Sequence, residues 1–208
     1  MSVFLFGPVL VGLAAGYLTG GRLRHLARQP LRGVWLLYAA AAGQLLGHVP
    51  PSGRLLSPSA QRWLTALVFS MVGAALLLNL ARLSLPARAG VAAILAGAAL
   101  NAATIVPNGH MPVAPAALGE IGGAPTDTSL DPHHTVSSGT TRMAALGDVL
   151  PVPWLNLVIS IGDIVAMVGV ALLVAALMHE HSGRVPGRRR ALDRAGATID
   201  PRPPASRP

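Results

Sequence analysis

Five apolar stretches, at about residues 2–19, 34–49, 63–81, 88–106 and 154–178, set the terms for this chain. Each approaches the roughly 20 residues that a helix needs to cross the hydrocarbon of a bilayer. No water reaches the backbone at that depth, so only helices or closed barrels satisfy its polar groups. The stretches are continuously apolar rather than alternating, which selects helices. The expected fold class is therefore all-α, a polytopic five-helix transmembrane bundle occupying residues 1–178, followed by a polar tail over 179–208. The charged share of 12% is about half that of a soluble domain. No basic residue precedes the first stretch and no small-residue cleavage site follows it, so it reads as a retained span rather than a signal peptide.

Arginine placement sets the orientation. All 16 basic residues are arginine. With the N-terminus outside, the inner side receives Arg22, Arg24, Arg28, Arg32, Arg82, Arg88 and the tail arginines; only Arg54, Arg62 and Arg142 fall outside. The positive-inside rule selects N-out, C-in. A net charge of +8 also suits a nucleic-acid binder, but the charge lies in membrane-flanking loops and the tail, with few aromatics to stack bases. No nucleic-acid partner is expected. The basic, proline-rich tail is expected to be disordered, with "GRRRALDR" a topology determinant or a contact for anionic headgroups. Arginine in place of lysine, with abundant Ala, Gly and Pro, points to a high-GC bacterial genome and hence a bacterial plasma membrane. There is no cysteine, which excludes disulfides, thiolate metal sites and thiol nucleophiles.

Polar residues inside the spans mark the candidate site. Asp163 stands within the long run 154–178, and an intramembrane carboxylate is costly enough to suggest a function. Asn156, Ser160 and Asp163 fall at i, i+4 and i+7, which places them on one helix face. Gly97, Asn101, Thr104 and Asn108 form a similar stripe on the fourth span, and Gln44 on the second lies at a comparable depth. The stripes are expected to face each other, either as a hydrogen-bonded clasp or around a ligand. Gly12, Gly16 and Gly20 on the first span, with Gly43 and Gly47 on the second, mark faces for close helix approach, within the chain or in a homo-oligomer.

Residues 107–153 form an external connection too long for a plain link. Its middle, about 114–139, reads as flexible. At its end, "TTRMAALGDVLPVP" is expected to form a short helix capped by Thr140 or Thr141, lying over the polar stripes. Arg142 would then serve as the cationic partner of Asp148 or Asp163.

"NAATIVPNGHMPV", "TTRMAALGDVLPVP", "SIGDIVAMVG" and "LTGGRLRHLA" together resemble the DUF5317 family of bacterial integral-membrane proteins, whose function is uncharacterised. The likeness covers about residues 10–178. Matching positions include Gly20, Gly21, Arg22, Gln44, Asn101, Asn108, Arg142, Gly147, Asp148, Ser160, Gly162 and Asp163. The family's usual Asn-Gly-Gly-x-Met-Pro turn is one residue shorter here, over Asn108–Pro112. The resemblance implies a shared fold and an outer-face site, and brings no reaction with it.

Enzymatic readings are weak in the sequence. The Gly147-Asp148 and Gly162-Asp163 pairs lack the first glycine of the intramembrane aspartyl-protease motif, having Ala145 and Ser160 there. His110, Glu120, Asp127, Asp131, His133 and His134 offer metal ligands without a recognised spacing. No catalytic residue, cofactor or metal is therefore assigned. The reading favoured is binding or translocation of an ion, proton or small polar or lipid-headgroup ligand by Asp163, Asn101, Asn108, Arg142, Asp148, Ser160 and Gln44. Membrane lipid is the expected surrounding. The alternative is a non-catalytic accessory subunit of a larger membrane complex.

Overall fold

The computed structural model describes residues 2–48, 57–122 and 134–179. The tail beyond His179 and the loop middle at 123–133 lie outside the described residues, so the expectations for them do too. The helices are α1 (Ser2–Leu18), α2 (Leu23–Ala27), α3 (Val34–His48), α4 (Pro58–Leu80), α5 (Leu85–Asn108), α6 (Pro115–Glu120) and α7 (Ile161–Leu177). Four strands join them: β1 (Met111–Val113), β2 (His134–Val136), β3 (Asp148–Val152) and β4 (Leu157–Ser160). The chain is mostly helical. By length and composition, α4 from Trp63 to Leu80 and α5 from Leu85 to Asn108 suffice to cross a membrane. Phe6–Leu18, Val34–Leu45 and Ile161–Leu177 are apolar but shorter.

Local chemistry sets the helix ends. Ser57 and Ser84 accept from the amides of Ala60 and Ala87 at the starts of α4 and α5, each with a proline in the first two positions. The end of α5 is closed by Gly109 in the left-handed region, φ 76°, whose amide donates to Ile105. The helix thus runs through Pro107 into its last turn, two residues beyond the expected end.

Several expectations need correction. The fold is not all-α, because a small mixed sheet of order β2-β1-β3-β4 is built from the connection between α5 and α7. β1 pairs in parallel with β2 and with β3, while β3 and β4 form an antiparallel hairpin. Pro151 is tolerated in β3 because the β1 pairing is confined to Val113–Asp148 at the other end, so no β1 partner needs its missing N–H. The second correction concerns the run 154–178, whose first part is strand and turn, with the helix starting only at Ile161. Asn156 consequently sits in the hairpin turn at φ 54°, off any helical stripe. "TTRMAALG" forms a single 3-10 turn over Ala144–Leu146, and "HTV" and "PAALGE", read as flexible, are strand and helix.

α5 and α7 pack antiparallel along glycines. A Cβ at Gly90 would meet the Leu173 amide at 2.7 Å, one at Gly169 the Ile94 amide at 2.6 Å, and one at Gly97 the Gly162 carbonyl. α1 runs parallel to α7: Gly12 lies on Ala171 and Val174, and Gly16 on Met178. These glycine faces are covered within the chain. Leu83, Ala87 and Val91 form a buried cluster with Ala176 and Leu177 at the end opposite the sheet. There the Arg22 amide and His25 Nδ1 both donate to the Met178 carbonyl, at 2.9 and 3.0 Å. α3 and α4 form a second antiparallel pair, with Gly43 against Val68 and Leu64. From Asn101, level with the start of α7, α5 rises seven more residues, roughly 10 Å. The sheet fills that step as a cap.

Candidate functional site

Asp163 is the third residue of α7, and its carboxylate closes the helix start. Its amide donates to Ser160 Oγ at 3.0 Å, and its Oδ2 accepts from the Ser160 amide at 3.0 Å. This reciprocal capping box satisfies amides that would otherwise be orphaned at a helix N-terminus. Its other oxygen, Oδ1, accepts from Asn101 Nδ2 at 2.8 Å, and the fully buried Ser160 hydroxyl donates to Asn101 Oδ1 at 2.9 Å. Asn101, Ser160 and Asp163 thus form a closed ring of bonds that locks α5 to α7. Gly162 sits against the Asn101 carboxamide with no room for a side chain. A carboxylate in an apolar run is explained here by the helix start that hydropathy does not register.

One layer outward lies Asp148, opposite Ser160 in the β3–β4 register. It is only 4% exposed. Burial pushes its carboxyl from 3.8 up to about 7, and the negative charge of Asp163 adds to the rise. His134 Nε2 on β2 lies 3.4 Å from its Oδ2. The partner of Asp148 is therefore His134 rather than Arg142. His134 reaches it across β1, through a parallel register that no local sequence signal announces.

Asn108, at the end of α5, acts as a clamp. Its Nδ2 donates to the carbonyls of Thr104 and Arg142, at 2.8 and 2.7 Å, while its Oδ1 accepts from the Arg142 amide at 2.9 Å. What Asn108 holds is the backbone of Arg142, whose side chain is exposed. Beside this clamp, Asn108, His110, Pro112, Thr135, Val136 and the Ser138–Thr141 turn line a cup of about 190 Å³. Thr141 does not cap a helix there; its hydroxyl accepts from the Ser138 amide at 2.8 Å.

A model for a family of unknown function, DUF5317, matches residues 28–175, well over half of the chain. The chain belongs to the DUF5317 family. No curated protein and no solved structure matches it.

In this DUF5317 chain the remaining expected site residue, Gln44, is exposed on α3, the helix paired with α4, and is not among the residues of the Asn101–Ser160–Asp163 ring. Of the sequence's metal-ligand candidates, Asp127, Asp131 and His133 lie outside the described residues. Among the described residues no group of three His, Asp or Glu is placed to hold a metal ion. Sequence reasoning missed His134 as the partner of Asp148, and Thr135 and Ser138 as walls of the cup. The β-branched "HTV" was the one available signal for a strand at that position.

Proposed function

We propose that this DUF5317 protein is a five-span membrane protein of the bacterial plasma membrane, N-out and C-in. Its outer cap takes up a proton and couples it to binding or translocation of an ion or small polar ligand. Three observations support the topology. α1 and α7 run parallel, with α5 antiparallel to both, as the first, fifth and fourth of five spans must. Arg22, Arg24, Arg28, Arg32, Arg82 and Arg88 belong to the segments at the end away from the cap, in line with the positive-inside rule. Trp35, Trp63 and Trp154 are exposed and stand near element ends, as interfacial anchors do. The short α7 is preceded directly by β4, which pairs with β3 in the cap.

The functional reading is carried by one observation, a buried carboxyl, Asp148, facing His134 within range of the charge of Asp163. Such a group exchanges its proton near neutral pH and changes the charge of the site when it does. Asp163 is the neighbouring carboxylate, and Asn101 holds it in place.

The test is native mass spectrometry of the detergent-extracted full chain, run below and above pH 7. Wild type is compared with Asp148→Asn and Asp163→Asn. A small adduct whose occupancy changes with pH in the wild type, and no longer does so in Asp148→Asn, is the expected result. Bare protein at every pH, or a co-purifying protein lost with Asp163→Asn, would sink this reading; the latter would favour the accessory-subunit alternative.

A further inference from the structure

Pro112 and Thr135, which line the cup beside Asn108, lie on the opposite face of the sheet from the Asp148–His134 pair. Pro112 and Thr135 pair in register, one residue along from the Met111–His134 pair, and strand side chains alternate between faces. We propose that this cup binds an oxyanion, the phosphate or carboxylate group of a small ligand. The proposal rests on the reading of the cap as a binding face and names the ligand class for it, but it does not depend on proton uptake at Asp148.

The inventory of bonding groups selects an anion. Asn108 has both amide hydrogens and its oxygen engaged, so it shapes the wall without facing a ligand. The His110 ring and the Thr135 hydroxyl have no hydrogen-bond partner among the described residues, although both line the cup. Thr141 uses its hydroxyl as acceptor for the Ser138 amide and keeps its own O–H to donate. Ser138 and Thr140 share one bond at 3.0 Å, which leaves one of their two hydroxyl hydrogens over. The cup therefore offers several unused donors, and no carboxylate is among its lining residues. Arg142, next to Thr141 in the chain, is an exposed permanent cation. A metal cation would meet hydroxyls without a negative ligand. An oxyanion accepts from every group on offer. A volume of about 190 Å³ is below the range of drug-sized pockets and corresponds to roughly six waters, enough for one phosphate or carboxylate on a short stem.

The anion has two possible sources, a free solute or a lipid headgroup, and the experiment separates them. The full chain in detergent is titrated calorimetrically with inorganic phosphate against sodium chloride of equal ionic strength. In parallel, native mass spectrometry compares retention of phosphatidylglycerol with that of a phosphate-free galactolipid. Wild type is set beside His110→Ala, Thr135→Val and Arg142→Gln. None of these removes a side-chain bond among the described residues, so each should fold, and circular dichroism checks that it does. Saturable phosphate binding, weakened about tenfold or more by each variant, identifies a free anion as ligand. A phosphatidylglycerol adduct lost in the same variants identifies a headgroup. The proposal is overturned if neither probe binds, if binding is unchanged in the variants, or if the galactolipid is held as tightly. Failure here leaves the titration of Asp148 untouched, whereas a pH-independent adduct alongside phosphate binding that the variants weaken would remove only the proton reading.

Discussion

The α5–α7 pair and the α3–α4 pair are both antiparallel and apolar, yet they hold together by different means. In the first, glycines bring one backbone directly onto the other: Gly90 onto Leu173, Gly97 onto Gly162 and Ala166, Gly169 onto Ile94. In the second, side chains intervene. Gly43 faces Val68 Cγ2 at 3.1 Å and Leu64 Cδ1 at 3.5 Å, and Gly73 has nothing within 4 Å. Backbone contact leaves nothing that can rotate aside, whereas a side-chain contact can repack. The seam that carries the polar lock and the cap is thus the inflexible half of the molecule. The α3–α4 pair has the tolerance expected of helices packed by side chains.

The largest test of this contrast is alanine at matched glycines. Gly97→Ala places its methyl against the Ala166 amide at 2.6 Å and the Gly162 carbonyl, and is expected to cost about 3 kcal/mol. Gly43→Ala should cost under about 1 kcal/mol, and Gly73→Ala should be neutral or stabilising through helix propensity. Thermal unfolding in detergent reads all three. Equal melting points for Gly97→Ala and Gly43→Ala would erase the distinction.

The next effect separates the two halves by pH. The pKa of Asp148 rises on folding, from 3.8 to about 7, so the folded state binds the proton more tightly than the unfolded one. The stabilisation is fully present below about pH 4 and is lost as pH rises through about 7. At about 1.4 kcal/mol per pKa unit the ceiling is a few kcal/mol. Melting points should therefore fall between mildly acidic and mildly alkaline buffer, and Asp148→Asn should flatten the slope. A wild-type melting point that rises over that interval would contradict the buried, protonated state.

At the polar lock the effect is smaller. Asp163→Ala removes one capping box and one interhelical bond, together about 2 kcal/mol. Asp163→Asn keeps an acceptor and should cost less. The α3–α4 half has its own polar clamp: Asn79 bonds the backbone N–H and C=O of Arg32 and the carbonyl of Ala75 four residues back. Asn108 repeats that arrangement with Arg142 and Thr104. Asn79→Ala strands buried groups and should cost about as much as Asp163→Ala. The comparison then rests on the glycines alone, because polar clamps serve both halves.

How much of this was legible follows from the kind of signal each feature leaves. Helical periodicity placed Asn101 and Asn108 on one face of α5, and the structure has both on the side that meets α7 and the cap. Hydropathy located the apolar runs but treated 154–178 as one object, because β4 and α7 are equally apolar and a helix start inside them changes no average. "SIGD" did carry a local start signal, a serine followed three residues later by an acidic residue. The sheet was not legible. Three-residue strands such as "MPV" and "HTV" are too short for alternation to register, and their parallel pairing depends on contacts across some twenty residues of chain. The Asp148–His134 pair and the cup inherit that opacity, since both are products of the register.

The smallest expected effect probes how well the cap is packed. Ser137 follows β2, and its amide donates to the Val113 carbonyl at 2.8 Å, so the backbone there is fixed. Its hydroxyl is buried and has no hydrogen-bond partner among the described residues. An unmet buried hydroxyl carries its desolvation cost with nothing returned, about 1 kcal/mol at the low end of the range. Ser137→Ala removes the polar atom, leaves the amide bond in place and should raise the melting point slightly. A lower melting point would mean that the hydroxyl has a partner in the folded protein, an ordered water or the ligand itself. The cap would then be wet behind β2 as well as in the cup, and the rigid half of the molecule would end at the polar lock instead of extending through the sheet.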